Sequence, residues 1–251
     1  MEKKGLISIS QPTFLPWSGY FDLIDTVEKF VFLNDVQFSK QSWQQRNKII
    51  SDENAIWVTI PVYKNKGFSL INETKIFREK KEIRKFIKTI RQNYFKSKYF
   101  HNYFEDFVEI FENSLKLDFL DKFNIEIIKW FMEKIGIKTQ IFISSDLKIS
   151  KKRSLKIIDI CKQLNSSVYI SNHSANEYLK EDIKFFYEEK IRVFLHNYNT
   201  QKYNQNSKNF NGQISMLDML FNEGPNCLSI IRSGRNVREE FFYHKIDNQN
   251  I

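Results

Sequence analysis

The sequence predicts an α/β fold: a mostly parallel sheet flanked by helices, with a helical insertion. Three observations carry that expectation. Short apolar runs of strand length recur toward both ends of the chain, and helical periods stand between most of them. One run, Phe30, Val31, Phe32 and Leu33, is apolar at every position, as in a strand of a parallel sheet covered on both faces. From about residue 78 to 136 the strand pattern stops, and three amphipathic stripes follow one another.

In order, the first strand covers about residues 6–10. It opens into a loop, residues 11–22, that holds two of the four prolines, one of the four tryptophans and one of the seven glycines. A loop so stiff at the mouth of a strand is a tight turn or the wall of a binding site. Phe21, Leu23, Ile24 and Val27 mark the first helix, and residues 30–33 the next strand. Asn34 and Asp35 follow at its carboxyl end, where α/β folds place ligands. Residues 37–48, polar and aromatic without Gly or Pro, read as an ordered loop. Residues 56–60 read as a strand limited by Pro61, and 63–75 as a mobile turn followed by a short extended piece.

The first helical stripe is Ile83, Phe86, Ile87, Ile90 and Tyr94; the second Phe100, Phe104, Phe107, Phe111 and Leu115. The third, Leu120, Phe123, Ile127, Phe131 and Ile135, is stopped by Gly136. Such stripes are core packing. A strand at 139–143 then precedes a helix through Leu155, Ile158, Cys161 and Leu164, with Ser150 as its cap. A strand at 167–170, a helix at 176–190 and a strand at 192–196 come next. Ser215 caps a helix ended by Gly224, and Pro225 opens a last helix ended near Gly234. Residues 1–235 are expected to form a single α/β domain with the insertion at about 78–136, and 236–251 a polar tail that frays.

Hydrophobic content of 41% and charged content of 27% are those of a soluble globular protein. There is no run of about 18 apolar residues, hence no expected membrane span. The short apolar run after Lys3 and Lys4 reads as a strand rather than an export signal. Cys161 and Cys227 form no CxxC pair and read as buried, reduced thiols of a cytoplasmic protein. The net charge of +9 favours a phosphate-bearing partner: a nucleotide-sugar, an acyl carrier or RNA. The basic residues read as spread along the chain, with clusters at Arg78, Lys80 and Lys81 and at Lys151, Lys152 and Arg153 taken as solvated helix faces. No nucleic-acid motif is present.

There is no GxSxG, P-loop, GxGxxG or HExxH, and the four histidines are not spaced as a metal site. The expectation is a metal-independent site with no tightly bound cofactor. What remains is polar residues at strand ends: Ser10 and Gln11, Asn34 and Asp35, Ser144 to Asp146, Asn172 and His173, His196 and Asn197. A parallel sheet brings these to one edge, where a crevice forms. Asp35, with Lys40, Arg46 and Lys48 shortly after it, and His173 are the candidate bases. Gln11, Asn47 and Asn172 are candidate hydrogen-bond donors, and Arg46 and Lys48 candidate phosphate ligands. Ser144 and His196 join them as binding residues. Trp17 and Trp43 suit stacking on a base or sugar, and Trp17 suits the core equally well.

Two long segments carry a resemblance. One is Gln11-Pro12-Thr13-Phe14-Leu15-Pro16-Trp17-Ser18-Gly19-Tyr20-Phe21. The other is Asn34-Asp35-Val36-Gln37-Phe38-Ser39-Lys40-Gln41-Ser42-Trp43-Gln44-Gln45-Arg46-Asn47-Lys48. With the later segments at 144–147, 168–179, 203–205 and 215–224, the chain resembles the WbqC-like family over about residues 5–231. The resemblance adds Tyr178, Tyr203 and Gln205 to the candidate binding residues. It implies a role in bacterial O-antigen or other surface-polysaccharide (lipopolysaccharide) biosynthesis. The implied reaction is transfer of glycine or another acyl group to a nucleotide-linked amino sugar. The donor would be an acyl-CoA thioester, an aminoacyl-adenylate or an aminoacyl-tRNA. Many members carry His where this chain has Ser10, so the base is expected at Asp35 or His173 instead. Two other classes stay open. One is a nucleotidyltransferase-like enzyme that cradles phosphate between the Pro-rich loop and a helix N-terminus. The other is a non-catalytic binding protein of polysaccharide assembly. Nothing in the sequence sets an oligomeric state.

Overall fold

In the computed structural model, which describes residues 3–63, 67–172 and 176–239, the chain begins with β1 (Leu6–Ser10), α1 (Ser18–Thr26) and β2 (Lys29–Phe32). A hairpin of β3 (Arg46–Ser51) and β4 (Asn54–Thr59) follows, then α2 (Lys80–Tyr94), α3 (Phe100–Leu115) and α4 (Leu120–Ile135). The strand–helix alternation resumes with β5 (Gln140–Ile143), α5 (Arg153–Gln163), β6 (Val168–Asn172), α6 (Asn176–Glu188) and β7 (Arg192–His196). The chain closes with α7 (Met216–Glu223), α8 (Cys227–Ser233) and β8 (Val237–Glu239).

The main sheet has the order β5-β2-β1-β6-β7-β8, all pairs parallel except β7 with β8. This is the expected α/β architecture. The chain grows outward from β1 through β2 to β5, then crosses back and grows the other way through β6 and β7. That reversal opens a crevice beyond the carboxyl ends of β1 and β6, since the two flanking crossovers leave in opposite directions.

Strand periodicity divides the core into two layers. Leu6, Phe30, Phe32, Ile170 and Phe194 face a cluster completed by α1, α4, α7 and α8. Ile7, Ile9, Val31, Tyr169, Val193 and Leu195 face the other way, against α5 and α6. The aromatic stripes of 80–135 belong to the first cluster: Phe14 lies 6.0 Å from Phe86 and 6.1 Å from Phe123, and Phe21 lies 5.4 Å from Phe131. Each buried Phe contributes about 2–3 kcal/mol of transfer free energy, so these helices are part of the main core rather than an appendage. Gly136 ends α4 with φ +83°, a left-handed conformation that glycine takes without steric cost. Both cysteines are buried and free; burial pushes the Cys161 thiol up to about 12 and shifts Cys227 upward as well.

The structure corrects four local expectations. Arg46, Asn47 and Lys48 are in a strand, not a loop, and β4 pairs with β3 in a separate antiparallel hairpin instead of joining the sheet. Asp52 and Glu53 make its turn, both with positive φ. Asn47, not an apolar residue, fills an inward position of β3, which hides the alternation. Ser150 does not cap α5, which starts at Arg153 with Lys152 before it and no side-chain cap. Residues 71–73 form a 3-10 turn rather than an extended piece. The expected fraying from Asn236 fails over 237–239, where β8 pairs with β7. Ser215 does cap α7, accepting from the Leu217 amide at 3.2 Å. No described helix is long and apolar enough to cross a membrane.

Candidate functional site

The Pro-rich loop after β1 is fastened along its length. Asn47 Nδ2 donates to the carbonyls of Phe14 (3.2 Å) and Leu15 (2.6 Å), and Asn124 Nδ2 to those of Pro12 (3.1 Å) and Gln44 (2.8 Å). The Phe14 amide donates to Trp43 O, and the Met216 amide to Pro16 O, both at 2.8 Å. Leu15 has φ +45°, a region that costs a bulky residue about 1–3 kcal/mol. Bonds from the hairpin, α4 and α7 hold it there. Asn47→Ala leaves two buried carbonyls without these donors and is expected to destabilise the protein by about 2 kcal/mol. A urea unfolding curve reads this as a lowered midpoint with unchanged slope; an unmoved midpoint would show that the other ties suffice.

So held, the loop forms one wall of a cleft of about 880 Å³ at the carboxyl ends of β1, β6 and β7. Ser10, Gln11, Trp17, Gly19 and Tyr20 line it from the β1–α1 side, Trp43, Gln44 and Asn47 from the hairpin side, and Asn172, His196 and Tyr198 from β6 and β7. Gly19 is required by packing. A Cβ there would come within 2.5 Å of the Trp17 ring and 2.8 Å of Tyr198. Its absence lets Trp17 meet Tyr198 edge to face at 5.5 Å, and Tyr198 in turn stacks near His196 at 6.1 Å.

His196 is buried, and its Nε2 lies 2.7 Å from Oδ2 of the fully buried Asp22 on α1. A carboxylate only accepts, so Nε2 carries the hydrogen of this bond, and in a neutral imidazole the lone pair then falls on Nδ1. Asp22 Oδ1 accepts from Arg235 Nε at 2.8 Å, and Arg235 also bonds Asp25 one turn along α1. Asp25 takes two further bonds from Arg232, at 2.8 and 3.0 Å, and one from Lys3 at 3.3 Å. Burial opposes the charge on Asp25, but the bonds from Arg232 and Arg235 outweigh it and hold the carboxyl at about 2. Arg235 is delivered by a segment lying against the end of β7. The Asn199 amide donates to Gly234 O at 3.0 Å, and a Cβ on Gly234 would stand 2.3 Å from Asn199 O.

Of the sequence-predicted residues, Gln11, Trp17, Trp43, Asn47, Asn172 and His196 line this cleft. Asp35 and Ser144 do not. Asp35 accepts from Ser144 Oγ and pairs with Lys156, a nearly buried lysine of α5. Asn34 beside it donates to Asp121 (2.9 Å) and Ser145 (3.1 Å), making a second polar cluster at the ends of β2 and β5. Tyr203 and Gln205 lie in a third network: Tyr203 donates to Asp218 at 2.8 Å, Gln205 to Tyr203 at 3.0 Å, and Tyr94 to Asp218 at 3.0 Å. Burial pushes Asp218 up to about 6 against the pull of these bonds. Arg46 and Lys48 stand over the Trp57 ring at 4.1 and 4.9 Å, and Lys40 is exposed. His173 lies outside the described residues, as does the side chain of Tyr178. Among the described residues no cluster of His, Cys, Asp or Glu is arranged for a metal ion.

Asp22, Tyr198 and Arg235 were missed by sequence reasoning. A signal existed. Asp22 and Asp25 interrupt an apolar helix at i, i+3, and Arg232 and Arg235 repeat that spacing near the other end of the chain.

A profile of the WbqC-like protein family matches residues 11–230. An uncharacterized protein of Mycobacterium tuberculosis is 28% identical over 230 residues, covering 90% of this chain and 97% of that protein. No solved structure matches.

Proposed function

Since the chain belongs to the WbqC-like protein family, we propose that it acts in bacterial surface-polysaccharide biosynthesis, as an N-acyl or aminoacyl (glycine-type) transferase on a nucleotide-linked amino sugar. The observation that supports this reading most is the His196–Asp22 pair in the wall of the switch-point cleft. An amine attacking an acyl carbonyl must lose a proton, and a histidine held in one tautomer by a buried carboxylate suits that task. His196 takes the proton as the C–N bond forms, then returns it to the leaving sulfur or oxygen as that bond breaks. In this reading the base is His196 rather than Asp35 or His173. Asp35 serves instead with Lys156 to brace the ends of β2 and β5.

Gln11 accepts from Gln44 through Oε1 at 2.8 Å, which leaves its Nε2 as a donor for the developing oxyanion. Trp17 and Trp43 offer ring faces to a base or sugar. The substrates so named are cytoplasmic. The test is a product assay: purified protein with nucleotide-linked amino sugars plus acyl-CoA, or plus amino acid, ATP and tRNA, read by mass. One acyl increment on the sugar is the expected result; no mass shift on any amino sugar would overturn the proposal.

A further inference from the structure

The positive charge is not spread along the chain. Residues 78–98 hold nine Lys or Arg and two Glu, so 21 residues carry seven of the nine excess charges. Nearly all lie on α2 and its flanks, and all nine basic side chains are on exposed residues. On the helix, Lys80, Lys81, Arg84, Lys85, Lys88 and Arg91 make a row about 16 Å long. Among the described residues none of these six forms an ion pair with a carboxylate. The opposite side of α2, with Phe86, Ile90 and Tyr94, is buried in the core.

A second, independent feature lies on the hairpin and the loop before it. Trp43 and Trp57 are 48% and 43% exposed, with ring centroids 5.2 Å apart. Arg46 and Lys48 both stand within 5 Å of the Trp57 ring. Large exposed indoles beside cations match the way single-stranded nucleic acid is held, bases on ring faces and phosphates on Lys and Arg. Trp43 also lines the cleft, so this platform opens into the site. The hairpin and α2 are joined: the Ile50 amide of β3 donates to Tyr94 Oη of α2 at 3.1 Å.

We infer that these two surfaces bind RNA, and that the acyl donor is RNA-borne: a paired stem along α2, with an unpaired end stacked on Trp57 and Trp43 that presents its acyl group to the cleft. This rests on the transferase reading above. The ester between the acyl group and the terminal ribose hydroxyl breaks as the amide to the sugar amine forms, and the amine's proton ends on the ribose oxygen. A soluble thioester carries too few phosphates to engage so long a row. A membrane surface fits less well, because an interfacial helix needs an apolar side to give to lipid and that of α2 is already used.

The test is fluorescence anisotropy with two labelled RNA hairpins, one with an unpaired terminal tail and one blunt. Binding to the wild-type chain is expected to fall steeply with salt. A variant carrying Lys81→Glu, Lys85→Glu and Lys88→Glu is expected to bind both RNAs at least about tenfold more weakly. Trp57→Ala is expected to weaken only the tailed RNA, by about fivefold or more. All four positions are exposed, and circular dichroism is the check that the variants fold. Absence of RNA binding, indifference to the tail, or capture of anionic phospholipid vesicles in its place would overturn the inference. Turnover with a CoA thioester and no RNA binding would sink this inference and leave the transferase reading intact. RNA binding with no acyl transfer would overturn the transferase reading and the RNA-borne donor with it, and leave only the RNA-binding surface.

Discussion

Replacing His196 by Gln is expected to lower the acyl-transfer rate by about a hundredfold to ten-thousandfold. Gln keeps a nitrogen able to donate to Asp22, so the buried carboxylate retains a partner and the fold is conserved. What is lost is the imidazole lone pair. On the proposed reading the loss falls on kcat and leaves KM nearly unchanged, since Gln11, Asn172 and the tryptophans that line the cleft are retained. Asp22→Asn offers the imidazole an amide in place of an acceptor-only carboxylate and removes its hold on the tautomer. Its rate loss is expected to be about as large. A His196→Gln enzyme within a few fold of the parent in the mass-based assay would remove His196 as the base and return attention to His173.

Arg235→Met is expected to cost about 3 kcal/mol or more of folding stability. Removing one partner from a buried charge network leaves the others uncompensated in a low-dielectric site. Asp22 would keep only His196, and Asp25 only Arg232 and Lys3. Set against a typical total of about 5–15 kcal/mol, this is a large share. A denaturant midpoint indistinguishable from the parent's would show that Arg232 alone neutralises the pair. The same network makes part of the fold's stability depend on pH. The Asp25 carboxyl is lowered from 3.8 to about 2, so the folded state favours its charged form. Its contribution, on the order of 2 kcal/mol, is fully present above the ordinary carboxylate value and is lost as pH falls through about 2. Asp25→Asn is expected to lower stability at neutral pH and to flatten the stability profile between those two values.

The five parallel strands of the main sheet were legible because each is a short apolar run, and the helices because Phe, Ile and Leu recur at helical spacing. β3 was not, because Asn47 turns inward to tie down the Pro-rich loop and so takes a place that an apolar residue would mark. At the site, the rule that polar strand ends gather on one edge found Gln11, Asn172 and His196. It also drew attention to Asp35, whose partner Lys156 lies 121 residues away and leaves no local trace. Asp22 reads as the last residue of the stiff loop 11–22, whereas the structure places it inside α1 and fully buried. Arg235 stands just before what looked like a fraying tail, and only the pairing of β7 with β8 reveals why it is held. The charge of α2 was read in small clusters, and the sum over its length was missed.

The bracing of α1 by Arg232 and Arg235 also sets an order of events during synthesis. β1, α1 and β2 emerge early, carrying Asp22 and Asp25 without their guanidinium partners. Those partners are among the last described residues to be made, more than 200 positions later. Until they arrive, burying the two carboxylates would leave their charge uncompensated. The wall that holds His196 is therefore braced only once Arg232 and Arg235 have been made and lie against α1, more than 200 positions after the carboxylates they neutralise.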